Sequence, residues 1–149
     1  MGQRDHVAAD HGGFELKNKV VEWLKEEKFD VEDLGNKVYD AKDDYPDFAI
    51  LAAKEISEGK ADKGIVICGS GVGACIAANK FKNVRASISH DTYSARQGVE
   101  HDDMNILCLG ARVIGENLAK ELVFSFINAK FIEDERFIRR LEKVKNLEK

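Results

Sequence analysis

Gly64-Ile65-Val66-Ile67-Cys68-Gly69-Ser70-Gly71-Val72-Gly73-Ala74 decides the fold. The first half is a continuous apolar run, the pattern of a strand buried on both faces of a parallel sheet. The second half carries three glycines within five positions and passes into Ala74 to Phe81, which reads as a helix. A strand that runs through a glycine turn into a helix is the building unit of an α/β sheet.

Upstream, His6 to Asp10 reads as a first strand, and Gly12-Gly13 breaks it. Phe14 to Lys28 follows with helical spacing, Leu16, Val20 and Leu24 lying four apart. A second strand fits Phe29 to Leu34, closed by Gly35, and the polar stretch Asn36 to Asp44 reads as loop. Asp44-Tyr45-Pro46 then opens a helix, with the only proline of the chain in a first turn, where it loses no hydrogen bond. Downstream, Arg85 to Ser89 is the fourth strand and Thr92 to Glu100 a short helix. Ile106 to Leu109 is the fifth strand, Glu116 to Ala129 a further helix, and Phe137, Leu141 and Val144 mark a C-terminal helix. The alternation predicts an α/β fold: a five-stranded parallel sheet, helices on both faces, right-handed crossovers.

The 149 residues fit a single domain over 1–149. Lysine and arginine total 23 against 27 acids, a net charge of −4, which speaks against nucleic acid or an anionic membrane as partner. The three cysteines stand at 68, 75 and 108, without a CxxC pair or a Cys/His cluster at zinc spacing. Apolar runs reach only five or six residues, and Met1 to His6 carries no apolar leader region. The expectation is a cytoplasmic protein without a disulfide framework or a structural zinc.

Ligands of open α/β sheets sit beyond the carboxyl ends of the strands. Asp10-His11, Cys68 to Gly73, His90-Asp91 and Gly110 to Arg112 occupy those ends. Glycines at 69, 71 and 73 let backbone N–H groups turn toward an anion or a developing oxyanion, although glycine also simply permits a tight turn. Cys68, at the junction of strand and loop, is placed to be a reactive thiol, whereas Cys75 and Cys108 fit buried, inert cysteines. Asp10 and His11 suit proton transfer and anion binding, or else a helix cap beside a surface histidine. His101, among Glu100, Asp102 and Asp103, is a candidate acid. Arg136 and Arg140 share a helix face, as a phosphate clamp or as ordinary solvated charge. Gly69-x-Gly71-x-x-Ala74 with Asp91 also satisfies a dinucleotide fingerprint, though after the third strand rather than the first.

Together the motifs resemble ribose-5-phosphate isomerase B. They are Asp10-His11-Gly12-Gly13, Asp44-Tyr45-Pro46, Cys68 to Gly73 with Ala77 to Lys80, Tyr93 to Arg96, His101 to Asn105 and Gly110 to Gly115. The wider family includes galactose-6-phosphate and allose-6-phosphate isomerases. The resemblance implies a doubly wound, Rossmann- or flavodoxin-like sheet, a homodimer with a site shared between subunits, and ribose 5-phosphate and ribulose 5-phosphate as substrate pair. By position, it makes Cys68 the base moving a proton between C2 and C1 and His101 the acid that opens the ring, with Asp10 and Ser70 assisting. The nest of Gly69, Ser70, Gly71, Val72 and Gly73 would hold the ene-diolate oxygen. His11, Arg112, Arg136 and Arg140 would bind phosphate or sugar, and Asp102 a hydroxyl, with no metal and no cofactor needed. The chain departs from the family pattern with serine at 70 for threonine, Asp102 for asparagine, and Asp134-Glu135 ahead of Arg136. The rival readings are a nucleotide-binding Rossmann-like module and a non-catalytic interaction domain.

Overall fold

A computed structural model describes residues 2–148. The elements follow in chain order as β1 (Arg4–Ala9), α1 (Phe14–Glu26), β2 (Asp30–Gly35), α2 (Tyr45–Ser57), β3 (Lys63–Cys68) and α3 (Val72–Ala78). Then come β4 (Ala86–Ile88), α4 (Thr92–Asp102), β5 (Ile106–Gly110), α5 (Glu116–Asn128) and α6 (Glu135–Lys145). A 3-10 turn, His11–Gly13, joins β1 to α1. The five strands are parallel and lie in the order β2-β1-β3-β5-β4.

Alternation along the strands builds a core on each face. Val7, Ala9, Ile65, Ile67, Leu107 and Leu109 point toward α1, α4 and α5. Ala8, Val66, Cys68, Ile106 and Cys108 point the other way, toward the alanines of α2 and α3. Every residue of β3 and of β5 is buried, and apart from Lys63 their composition is apolar, as burial on both faces requires. Truncating such a side chain costs about 2–5 kcal/mol. The polar exception at the start of β3, Lys63, ends against α5: its Nζ donates to the carbonyls of Phe126 (2.6 Å), Ile127 (3.2 Å) and Ala129 (2.7 Å). These are carbonyls that a helix end leaves without intrahelical partners.

The α/β class and the five parallel strands agree with the sequence reading. The order departs at one edge from the flavodoxin sequence of 2-1-3-4-5, because β5 rather than β4 lies beside β3. Burial explains the exchange: β5 is apolar throughout and takes the interior place, while β4 is three half-buried residues and takes the edge. Several boundaries also move. Helix α1 stops at Glu26 rather than Lys28, which has a positive φ of 64°. Helix α3 starts earlier, at Val72, after Gly71 turns the chain with φ 85°, and α4 runs two residues further, to Asp102.

Candidate active site

The chain leaves β1 for β2 on one side and later crosses to β3 on the other, so the crevice between the ends of β1 and β3 is the topological switch point. Ala9 pairs with Ile67 there, which sets Asp10 beside Cys68. Asp10 caps the 3-10 turn by accepting from Gly12 N at 2.9 Å. Its carboxyl is raised above the ordinary range, first by burial. The cap expected of Asp10 is therefore present, and it stands inside the crevice.

Close backbone approaches explain the glycines. A Cβ at Gly13 would lie 2.5 Å from Ile67 O, and one at Gly110 would lie 2.5 Å from Ser70 O. A Cβ at Gly73 would meet the Tyr45 ring at 2.5 Å. The loop from Gly69 to Gly73 is thereby folded onto the β1 and β5 turns, and Arg112 N donates to Gly69 O at 3.0 Å. The amide of Gly71 points at Cys68 and donates to its Sγ at 3.1 Å. That of Val72 donates to Ser70 Oγ at 3.2 Å. The amides of Gly69, Ser70 and Gly73 have no protein acceptor among the described residues. The Cys68 sulfur thus accepts from the loop on one side, while the residue, 5% exposed, packs among the alanines of α2 and α3 on the other.

Cys108 is fully buried, its thiol pushed well up by a hydrogen bond with Cys75 and then by burial. Cys75 is half-buried, its Sγ 3.5 Å from Ala86 O, and its thiol is pulled down, first by the pairing with Cys108.

His11 and Arg112 line one cavity of about 390 Å³ with Gly12, Lys19 and Tyr39. The imidazole Nδ1 is 2.7 Å from Asp43 Oδ1, and its pKa is raised, first by that hydrogen bond. One donor atom each from Asp10, His11 and Asp43 fall within 4.8 Å of one another. A cation held by that trio through His11 Nδ1 would have to displace the bond to Asp43.

The other sequence candidates lie elsewhere. Helix α4 returns to the amino ends of the strands, where Gly64 pairs with Ile106, whereas Cys68 pairs with Gly110. At about 3.3 Å per residue those two levels are roughly 13 Å apart. His101, in the last turn of α4, is thus not brought to Cys68 within one chain. It stacks on Phe137 of α6, centroids 4.1 Å apart, and Gln97 Nε2 lies 3.0 Å from its Nδ1. Arg136 stands over the Phe137 ring, 5.1 Å from its centroid. Asp134 both caps α6 and pairs with Arg136 at 3.2 Å, and Arg136 and Arg140 are exposed. Asp102 opens on a cavity of about 660 Å³ that runs along β4 and does not include Cys68 or its loop. Within one chain the candidates therefore fall into two groups: Asp10, His11, Cys68 to Gly73 and Arg112 beyond the strand carboxyl ends, and His101, Arg136 and Arg140 on α4 and α6.

Sequence reasoning assigns no role to three residues. His90 Nε2 accepts Gly110 N at 3.1 Å and steadies the turn that bears Arg112. Tyr45 lies against Gly73. Asp43 sits in a loop read only as polar. The strand-end rule marks His90 and the Asp44-Tyr45-Pro46 motif includes Tyr45, while Asp43 carries no signal beyond its place next to that motif.

An open parallel sheet with a thiol, an amide-lined loop and two basic side chains at its switch point defines a class of small-ligand α/β protein. The Ribose/Galactose Isomerase family profile matches residues 6–144, and the chain belongs to that family. A probable ribose-5-phosphate isomerase B of Mycoplasma genitalium is 42% identical over 144 residues, 96% of this chain and 94% of that protein. A D-erythrulose-4-phosphate isomerase of Pectobacterium atrosepticum is 38% identical, covering 84% and 82%. The crystal structure of the Mycoplasma genitalium ribose-5-phosphate isomerase B with bound ribulose-5-phosphate superposes with a TM-score of 0.93 at 41% identity, over 99% of this chain and 97% of that one.

Proposed function

We propose that the chain is an aldose–ketose isomerase that interconverts ribose 5-phosphate and ribulose 5-phosphate. The single observation that carries the chemistry is the Cys68 sulfur, held 3.1 Å from Gly71 N beside amides left without protein acceptors. Family membership and the relatives that act on ribose 5-phosphate support the substrate.

In this reading His11 and Arg112 hold the phosphate and so orient carbons remote from it. Cys68 removes the proton from C2, and the C–H electron pair becomes the C1–C2 double bond of an ene-diolate. Its negative oxygen is received by the free amides of the Gly69–Gly73 loop, each such donor being worth about 3–4 kcal/mol in comparable oxyanion sites. The proton returns from sulfur to C1, the hydroxyl proton passes from O2 to O1, and C2 becomes the ketone. Asp10 and Ser70 stand where they serve those hydroxyl transfers. Ring opening needs an acid, and His101 supplies it from a second copy of the chain, with Asp102 at a hydroxyl and Arg136 and Arg140 closing on the substrate. The separation of the two groups within one chain supports a homodimer. Val72 and Ile76, exposed and four apart on α3 beside the loop, offer that copy an apolar contact. Three free cysteines support the cytoplasm as the compartment.

Ketose formation from ribose 5-phosphate, allose 6-phosphate, galactose 6-phosphate and erythrose 4-phosphate, with and without a chelator, tests the proposal. The expected result is turnover of ribose 5-phosphate above the others, unchanged by the chelator. Preference for a hexose phosphate would move the substrate within the family, and absence of turnover on all four would overturn the activity.

A further inference from the structure

The carboxylate of Asp43 lies outside every motif that marks the site, yet it is tied to His11 twice. Its Oδ1 accepts the His11 backbone N–H at 2.9 Å and pairs with Nδ1 of the same residue at 2.7 Å. Its Oδ2 accepts from the side-chain amide of Asn36. The side chain is only 9% exposed, so the carboxylate is withdrawn from water and all its partners are these donors. A buried carboxylate needs a paired positive charge, and among its partners only the imidazole can provide one.

We propose that Asp43 is the positioning residue of the anion pocket: it fixes the His11 ring through Nδ1, leaves Nε2–H to the cavity shared with Arg112, and keeps that imidazole cationic. The proposal rests on the phosphate role given above to His11, and it adds the residue that creates it. The geometry is that of a carboxylate–histidine couple, in which the bond at one ring nitrogen sets the proton on the other.

The charges around the ring agree. Asp43 raises the His11 pKa first, and Asp10 at the end of β1 raises it too, while Arg112 after β5 opposes them. From α1 and α5, Lys19 and Glu116 face the cavity as a pair 2.7 Å apart, with Glu15 beside them and Tyr39 edge-on to the imidazole. His11 therefore stays charged to higher pH than an ordinary imidazole, and its partnership with a phosphate dianion lasts equally long.

The test compares wild type with Asp43→Asn, which keeps the shape and removes the charge. The probe is inorganic phosphate, with Kd measured from pH 5.5 to 9. The His11 titration is followed by NMR in parallel, its signal assigned by loss in His11→Gln. Asp43→Ser replaces the first variant if that fails to fold. The expected result is a His11 midpoint that falls in the variant. The ratio of variant to wild-type Kd is then near one at pH 5.5, rises to about three- to tenfold between the two midpoints, and declines again above both. A role confined to holding the loop gives a ratio that does not change with pH. That result, an unmoved His11 midpoint, or a midpoint that falls without any change in phosphate Kd would each overturn the proposal. Because the probe is not a substrate, failure of the isomerase reading is visible separately, in the sugar panel.

Discussion

At Cys68 the backbone fixes the sulfur, Gly71 N donating to Sγ at 3.1 Å, and the proposed mechanism makes that sulfur the base. Cys68→Ala is therefore expected to lower kcat by at least about 10²-fold, the range of a lost general base, with phosphate Kd nearly unchanged. Wild-type-like kcat would remove the sulfur from the reaction. A second residue sets a stability trend. Asp5, 1% exposed on β1, has its pKa raised to about 6, first by burial and against the hydrogen bond from Gln3. Between pH 4 and 6 the folded chain holds a proton there that the unfolded chain has released, so this group's contribution to stability falls as pH rises across that window. A change on the order of 2–3 kcal/mol follows from such a shift. Asp5→Asn should flatten that part of the pH profile in urea unfolding, and an identical slope in both proteins would contradict the assignment. At this scale the sequence was legible where a strand end announced itself, as at Asp10, Cys68 and Arg112. It was not legible at Asp43, because nothing in a polar loop of nine residues says which carboxylate folds back 32 positions onto His11.

Among the elements, β3 and β5 could be read at once, since an apolar run of their length has no other place than the centre of a parallel sheet. Their neighbours could not. Strand order depends on which edge β4 leaves free, and a three-residue strand carries too little apolar surface to state it. Helix ends moved where a left-handed residue or a late-starting turn intervened, at Lys28 and at Gly71. The join of β1, the 3-10 turn and β3 leaves no room for a Cβ at Gly13, and in the sequence it is a pair of glycines. Gly13→Ala drives a Cβ onto the backbone of Ile67, so the β1 turn and Asp10 must move together. The expected cost is about 1–3 kcal/mol, the usual range for overpacking. Unfolding in urea measures it, and an unchanged midpoint would show that the turn yields freely.

For the molecule as a whole, direction along the sheet governs function. All strands share one sense, so every helix between them runs back, and a residue at the end of α4 lies away from the strand ends where Cys68 sits. No local feature of sequence expresses that separation; it follows only from the register of β3 on β5. The proposed resolution is a two-fold pair in which each copy lends its α4–α6 corner, with His101 stacked on Phe137, to the crevice of the other. Cys68→Ala and His101→Ala, each inactive alone, provide the direct measurement when unfolded together in equal amounts and refolded. Half of the resulting dimers are then hybrids, and each hybrid holds one crevice with both side chains intact. Activity is expected to return to about one quarter of wild type. A mixture as inactive as its parents would contradict a site shared between copies.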